Sequence, residues 1–453
     1  MTEALGGPSS TSGTPESGGR VETDAPATPR RFPCFDGLRA IAALLVLLIH
    51  TAWTSGFTSR TSLGIYTSRL EIGVAVFFLI SGFLLYRPFA VSHLAGGDPI
   101  DTWHFWGRRL LRIVPAYWLA LTILTYVLHD VSMGPGWKGV ASHYLFLQIY
   151  LPSQWSYGIQ QAWSLCIEMS FYLFLPLYAR LLTWRRRTAR SQVRRELLGL
   201  GVLTAVSLGY RWWSLHLPGA LRVTPGGVIC EPAPQCLQHL PLVTLVPGWL
   251  PGYLDLFAFG MLLAVLSAWW TTTKAEPRWL SHGAVPWLCW AGAALAFWTV
   301  SHLGISRIPL YVTAPGTNLL RQELYGLFAL LLLVPAVAGP QDRSPIRRFL
   351  RSWPVASFGV ISYGIYLWHQ GMIDELMKWT GWTLFHAPFG AMVTGVLGLT
   401  IAVASVSYFG LERPVLHFKR RLGWWRRVPA VQVGAVRSTP DTARGPDTAP
   451  TKT

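Results

Sequence analysis

Charged side chains are scarce in this 453-residue chain. They make up 13% of it, where an ordinary soluble domain has roughly 25%. So small a fraction leaves too little polar surface to coat one or two soluble domains. Cysteine is also rare, with five in the whole length, which excludes a disulfide scaffold. Hydrophobic residues reach 51%, which excludes disorder for the bulk of the chain. The composition therefore indicates a protein that does not face water over most of its area.

Familiar catalytic patterns are missing as well. No glycine-rich GxxxxGK loop occurs, which argues against a nucleotide-hydrolysing motor. No HExxH and no paired CxxC occurs, so the sequence indicates no metal site. No internal repeat is visible, which weakens the interpretation as an inverted-repeat transporter.

Long apolar runs dominate what is present. Ten of them come near the roughly 20 residues that cross a bilayer core and predict transmembrane helices. They cover about residues 37–57, 72–91, 110–128, 163–182, 197–215, 248–270, 284–303, 319–338, 353–375 and 389–411. A shorter segment, HYLFLQIYL from His143, is expected at the membrane interface. We predict an all-α polytopic membrane domain over 34–422, between disordered tails at 1–33 and 423–453.

The basic residues predict the orientation of this domain. Acidic residues number 21 against 38 basic ones, so the net charge is +17, which by itself admits nucleic acid or an anionic membrane surface as a partner. With the amino terminus inside, 28 of the 38 fall in inner segments and 8 in outer ones. Such a bias predicts a multi-pass plasma-membrane protein with both termini in the cytoplasm. No soluble basic domain remains to bind nucleic acid.

Ionisable residues inside the predicted spans are functional candidates, because each costs several kcal/mol in hydrocarbon. Arg39 and His50 share the first span, on one face and about 16 Å apart along its axis. Neutral imidazole is the commonest general base, and Glu168 in the fourth span, near the depth of His50, could orient it. The alternatives are a snorkelling anchor for Arg39 and helix-packing contacts for His50 and Glu168.

Three further polar residues are expected at the same depth, in the outer halves of their spans. Asp255, Glu323 and His369 are therefore candidates for substrate binding in a hydrated cavity that opens outward, with helix packing as the alternative. Two cysteines, Cys230 and Cys236, fall in one outer loop and could form a disulfide.

A basic cluster marks the start of the third span. In FWGRRLLRIVPAYW, Arg108, Arg109 and Arg112 share one helix face. Guanidinium groups on one face suit phosphate. Contact with lipid headgroups is the competing interpretation.

Several of these segments resemble the acyltransferase type-three family, polytopic membrane enzymes that acylate sugars, glycans and some antibiotics. The resemblance rests on five segments in the family's order, within about residues 32–420. They are FDGLRAIAALLVLLIH, GVAVFFLISGFLL, RRLLRIVPAYW, WSLCIEMSFYLFLPL and SYGIYLWHQ.

The resemblance implies a ten-helix domain that takes an acyl group from cytoplasmic acyl-CoA. It implies that His50 is the catalytic base and that Arg39, Arg109 and Arg112 are the family's arginines. Some members carry an SGNH esterase-like domain after the membrane part, and this chain is expected to be a stand-alone member without one.

Taken together, the residues and the resemblance predict an O-acyltransferase. His50, oriented by Glu168, would activate a hydroxyl of a sugar, glycan or glycosylated small molecule, and Arg39, Arg108, Arg109 and Arg112 would bind the acyl-CoA donor. No metal is expected. The main alternative is a transporter whose buried histidines and acids relay protons, and a third interpretation is a membrane scaffold.

Overall fold

Helices account for the ordered architecture of the chain. The computed structural model describes residues 32–183, 188–218, 242–307, 314–341, 343–415 and 417, and no strand occurs among them. Ten helices of 17 residues or more lie in this part of the chain. They are α1 Cys34–Thr54, α2 Ile72–Ala95, α3 Thr102–Tyr126, α4 Trp163–Leu182, α5 Ala189–Leu215, α6 Leu254–Thr273, α7 Val285–Ser301, α8 Pro315–Val337, α9 Ser362–Thr380 and α10 Phe389–Ser407. The predicted tails, apart from residues 32 and 33, lie outside the described residues, as do Cys230 and Cys236.

Six helical stretches of the described chain are long and apolar enough to cross a membrane. They contain α1, α2, α4, α6, α8 and α10, and the shorter α7 is apolar too. This makes the chain a multi-pass membrane protein. The ten long helices match the ten predicted segments in order, but α3, α5 and α9 carry more polar residues, so the count of ten spans stays a prediction.

Several helix boundaries differ from the apolar pattern, and two of them bear on the site. Helix α3 begins eight residues before the predicted span, because the Asp101 side chain accepts the backbone N–H groups of Trp103 and His104 at 2.8 and 3.2 Å and caps a polar first turn. The predicted span 353–375 is divided at Ile361 into a short helix, Trp353–Val360, and α9. The arginine cluster thus lies within α3 rather than at its start.

The centre of the fold is the pair α2 and α6, which pack closely along their length. A β-carbon on Gly82 would lie 2.3 Å from the carbonyl oxygen of Phe257, and one on Gly260 would lie 2.1 Å from that of Leu79. Such close approach of two backbones needs glycine on both helices. Phe257 also stacks on Phe171 of α4, with ring centroids 3.9 Å apart, which ties a third helix to the pair.

Helix α1 packs against α2, α9 and the short helix Trp353–Val360. Gly359 makes the last contact possible, because a β-carbon there would lie 1.9 Å from the carbonyl oxygen of Asp36. Helix α9 pairs in turn with α10. These contacts bring the two halves of α1 beside elements from distant parts of the chain, and they place the polar residues described next.

Candidate active site

Three arginines from two helices meet in one cavity. Arg39 comes from the second turn of α1, and Arg109 and Arg112 come from α3. The cavity has a volume of about 100 Å³. Its remaining wall is partly polar and partly apolar: Phe77, Phe78, Ile80, Ser81, Leu84, Leu85, Ile113, Ser164, Leu165, Glu168, Tyr172, Ser362, Tyr363 and Tyr366. We call it the arginine cavity. Arg108 does not belong to its wall.

The guanidinium groups differ in what they contact. Arg39 donates to the Asp36 carboxylate at 3.0 Å. Arg109 lies over the ring of Phe105, at 5.9 Å from its centroid, and its buried Nε has no hydrogen-bond partner among the described residues. Arg112 is exposed and forms no ion pair with any described residue. Two of the three cations therefore keep donors for an anion from outside the chain.

Glu168 faces this cavity and not His50. Its carboxylate accepts hydrogen bonds from the Ser81 hydroxyl at 2.5 Å and the Tyr172 hydroxyl at 2.7 Å. Its charge interacts with Arg39 and Arg109 across the cavity. Among the described residues no hydrogen bond joins Glu168 to His50. The expectation that Glu168 orients His50 is therefore not met, because similar depth in two helices does not place side chains on facing sides.

His50 instead meets His369. The Nδ1 of His50 lies 2.8 Å from the Val46 carbonyl oxygen and 3.2 Å from Nε2 of His369. The two rings are 4.9 Å apart at their centroids. Nδ1 of His369 lies 3.1 Å from the carbonyl oxygen of Ile365. His369 is fully buried, whereas His50 is partly exposed.

These distances fix both tautomers, since a carbonyl oxygen can only accept. His369 carries its proton on Nδ1 and presents an unprotonated Nε2 to His50. His50 carries its proton on Nδ1 and shares it between the Val46 carbonyl and His369. In the neutral ring of His50, Nε2 is then the unprotonated nitrogen, and this is the form a general base needs.

Tyr366 connects the histidine pair with the arginine cavity. It lines that cavity, and its ring centroid lies 6.1 Å from that of His369, one helical turn along α9. Its hydroxyl lies 2.7 Å from the Ser164 hydroxyl and donates to the carbonyl oxygen of Gln161, also at 2.7 Å. Tyr366 thus belongs to the wall of the arginine cavity and also neighbours the histidine pair.

Asp255 and Glu323 lie outside the arginine cavity and away from the histidine pair. Asp255 is fully buried and accepts from Ser207 at 3.0 Å and from Gln322 at 2.9 Å. Glu323 follows Gln322 on α8, and the cluster joins α5, α6 and α8. Neither acid lines the arginine cavity or contacts the histidine pair. The prediction of a single hydrated cavity, which was based on equal depths, is therefore wrong. These residues face different neighbours, and of the three only His369 contacts His50.

A second cavity lies at the opposite end of α3 and α9 from the arginines. Its volume is about 250 Å³, and we call it the polar cavity. Its wall contains Leu124, Asp130, Val131, Ser132, Ser156, Tyr157, Gly158, Ile159, Gln160, Gln161, Gln370, Gly371 and Asp374. Burial raises the pKa of the Asp130 carboxyl above its usual range, opposed by its Lys378 partner.

Sequence reasoning missed most of these wall residues. Tyr366 carried a signal, since it precedes His369 by three residues and so shares its helix face. Ser81, Gln161 and Asp130 carried none, because a single hydroxyl, amide or loop carboxylate resembles any other until the fold places it. Of the remaining cysteines, Cys34 and Cys166 are buried free thiols and Cys289 is a partly exposed one.

This geometry defines a class of protein: a helical membrane bundle with an arginine-lined cavity and a histidine pair near it. Comparison with known proteins names the family. The acyltransferase domain family matches residues 32–409, so the chain belongs to the acyltransferase type-three family. No solved structure matches the chain.

Two relatives are similar to this chain over most of its length. The acyltransferase MdmB of Streptomyces mycarofaciens is 26% identical over 433 residues, which cover 91% of this chain and 98% of MdmB. The O-acetyltransferase OatA of Staphylococcus aureus strain NCTC 8325 is 24% identical over 421 residues, which cover 86% of this chain and 58% of OatA. The chain is accordingly a membrane acyltransferase, as the sequence motifs predicted.

Proposed function

We propose that the chain moves a short acyl group, such as acetyl, from cytoplasmic acyl-CoA to a hydroxyl of a sugar, glycan or glycosylated small molecule, with His50 as the general base. The single observation that carries this proposal is that Tyr366 lines the arginine cavity and also neighbours His369, the partner of His50. Relatedness to an O-acetyltransferase supports oxygen as the acceptor atom.

The arginine cavity would bind the donor. Coenzyme A is anionic through its phosphates, and the free donors of Arg109 and Arg112 can bind phosphate oxygens in pairs. The apolar wall beyond them, including Phe77, Leu84 and Ile113, suits the uncharged pantetheine arm. Arg39 and His50 are eleven residues apart on α1, which is about 16 Å along the axis, and an extended pantetheine arm has about that reach.

The chemistry would proceed by direct transfer. His50 Nε2 removes the proton of the acceptor hydroxyl as the oxygen attacks the thioester carbonyl. The tetrahedral intermediate then collapses, its carbon–sulfur bond breaks, and the thiolate of coenzyme A takes the proton back from His50. An ester and free coenzyme A result, with no oxidant or metal required. His369 is a positioning residue, because it accepts the Nδ1 proton of His50 and keeps Nε2 free.

Glu168 would stabilise the wall of the arginine cavity instead of orienting His50. Bonded to Ser81 and Tyr172, it places one negative charge among three arginines, so the cavity keeps a net positive charge without the full repulsion between its cations. It would hold the wall in shape, and His50 would rely on His369 and the Val46 carbonyl instead.

The test is transfer by the purified full chain in lipid nanodiscs, with radiolabelled acetyl-CoA and a panel of neutral methyl glycosides. We expect labelled ester with the wild type and a loss of about 100-fold or more in His50→Ala. Arg109→Gln should raise the KM for acetyl-CoA about ten-fold with little change in kcat, since one charged hydrogen bond is lost. Size-exclusion profiles that match the wild type are the folding control. Full activity in His50→Ala would refute the assigned base, and an unchanged KM in Arg109→Gln would refute the donor site.

A further inference from the structure

We propose that the polar cavity is the acceptor subsite and that it takes a neutral, hydroxyl-rich glycosyl group. This deepens the proposed function and rests on it for the reaction, although binding can be measured without turnover. Three observations lead to it: unsatisfied polar atoms in the wall, the position of the cavity relative to the histidine pair, and the chemistry of its side chains.

Buried polar atoms without partners point to a ligand, because an unpaired buried donor or acceptor costs about 1–3 kcal/mol. Gln161 is 3% exposed, and its Nε2 donates to the carbonyl oxygens of Leu367 at 3.0 Å and Tyr366 at 3.3 Å. Those two carbonyls fix the amide orientation and leave Oε1 without a partner among the described residues. Ser156 Oγ and Asp130 Oδ2 are buried and unpartnered in the same wall.

The wall of the cavity contains the residue next to His369 on α9, although neither histidine is part of the wall. Gln370, which follows His369 directly on α9, lies in its wall, and so does Gln161. On the other side, Tyr366 and Ser164 belong to the arginine cavity. The reacting centre of the proposed mechanism therefore lies between the two cavities, as a reaction of two substrates entering from opposite ends requires.

The chemistry of the wall selects the ligand class. Carboxylates of Asp130 and Asp374 accept hydrogen bonds from hydroxyls, while the amides of Gln160 and Gln370 both donate and accept. The wall contains two carboxyl groups and no cationic side chain, and Lys378 outside the wall pairs with Asp130. The remaining carboxyl group, Asp374, disfavours an anionic ligand. Dense hydrogen-bonding groups disfavour an alkyl chain, because they would be left unpaired beside it. A neutral polyol satisfies both restrictions.

A glycine shapes this wall. Gly158 has φ +74°, a left-handed conformation that favours glycine, and a β-carbon there would lie 2.3 Å from the ring of the buried His143. Its N–H donates to the Ser132 carbonyl oxygen at 2.8 Å, which joins the two loop segments that carry Asp130 and Gln160. The cavity is thus formed by backbone packing, before any ligand is bound.

The first test measures binding in the absence of turnover. Gln160→Cys, at an exposed position of the wall, is made in a His50→Ala chain in nanodiscs. Maleimide labelling at residue 160 is followed by peptide mass spectrometry, so the five native cysteines can stay. Neutral methyl glycosides of glucose, galactose, mannose and N-acetylglucosamine should slow labelling, and methyl glucuronate should not. Thr380→Cys, exposed at the same end of α9 and outside the wall, is the control and should label at one rate throughout.

The second test measures turnover. Asp374→Asn and Gln370→Leu should each raise the KM for the glycoside about ten-fold, the loss of one hydrogen bond, with the KM for acetyl-CoA unchanged. Protection of residue 160 without any transfer by the wild type would refute the proposed function and keep the subsite. Transfer with normal KM values in both variants and no protection would refute the subsite and keep the function. Equal protection by glucuronate would refute the ligand class.

Discussion

At the scale of single residues, the geometry of His50 depends on a neutral neighbour rather than on an acid. In many hydrolases a carboxylate accepts the Nδ1 proton of the catalytic histidine. Here the acceptors are the Val46 carbonyl oxygen and His369 Nε2, at 2.8 and 3.2 Å. A neutral pair avoids a buried carboxylate near the bilayer centre, whose cost would be several kcal/mol.

His369 therefore offers a specific prediction. His369→Leu removes the acceptor for the His50 proton and should lower kcat roughly 100-fold, with the KM for acetyl-CoA unchanged, because tautomer and ring orientation are lost while the donor site is intact. His369→Gln keeps an acceptor oxygen at similar length and should recover much of kcat. Steady-state kinetics in nanodiscs measures both. Equal rates in the Leu and Gln variants would show that the hydrogen bond is unimportant.

At the scale of helices, the site depends on how closely α2 and α6 approach. Ser81, which donates to Glu168, directly precedes Gly82, and Gly82 touches the Phe257 carbonyl of α6. About one turn of each helix, residues 79–82 and 257–260, is thus held at close spacing by Gly82 and Gly260. Any side chain at either position has to push the helices apart or distort a turn.

Gly260→Ala should destabilise the fold by about 1–3 kcal/mol, the usual cost of overpacking, because its β-carbon would meet the Leu79 carbonyl at 2.1 Å. The measurement is thermal unfolding in detergent, followed by intrinsic tryptophan fluorescence. Gly209→Ala in α5 is the matched control, since nothing lies within 4 Å of its β-carbon, and it should leave the midpoint unchanged or raise it slightly. If both variants have the same unfolding midpoint, the close contact between the two helices does not limit stability.

At the scale of the whole molecule, part of the site is carried by helices that are less apolar than α1, which carries His50 and Arg39. Arg109 and Arg112 lie on α3 and His369 lies on α9, and neither helix is among the six most apolar stretches of the described chain. Lipid-facing helices can surround such a centre and keep its polar groups away from hydrocarbon. The orientation predicted from the basic residues would place the two cavities, at opposite ends of α3 and α9, toward the two faces of the membrane.

This arrangement predicts the orientation of the protein. Ser62 and Asp98 are exposed at opposite ends of α2, and the distribution of basic residues assigns Asp98 to the cytoplasm. In intact cells an impermeant maleimide should label Ser62→Cys, and it should label Asp98→Cys only after permeabilisation. The reverse pattern would invert the topology and place the arginine cavity away from cytoplasmic acyl-CoA.

Much of the fold follows from local properties of the sequence. Apolar runs locate the ten long helices in order, and the motifs around His50 and SYGIYLWHQ identify the family, because hydropathy and short motifs are readable without contacts. Boundaries are less readable: the Asp101 cap extends α3 beyond its apolar part, and the break at Ile361 has no hydropathy signal.

The sequence by itself determined that this is a helical membrane acyltransferase, since that depends on composition, helix length and motifs within single segments. Only the tertiary structure decided which polar residues meet. Depth along a helix can be counted from residue numbers, but the direction in which a side chain points depends on packing against other helices. For this reason Glu168 and His50, similar in depth, lie in different environments, while His50 and His369, 319 residues apart, share a proton.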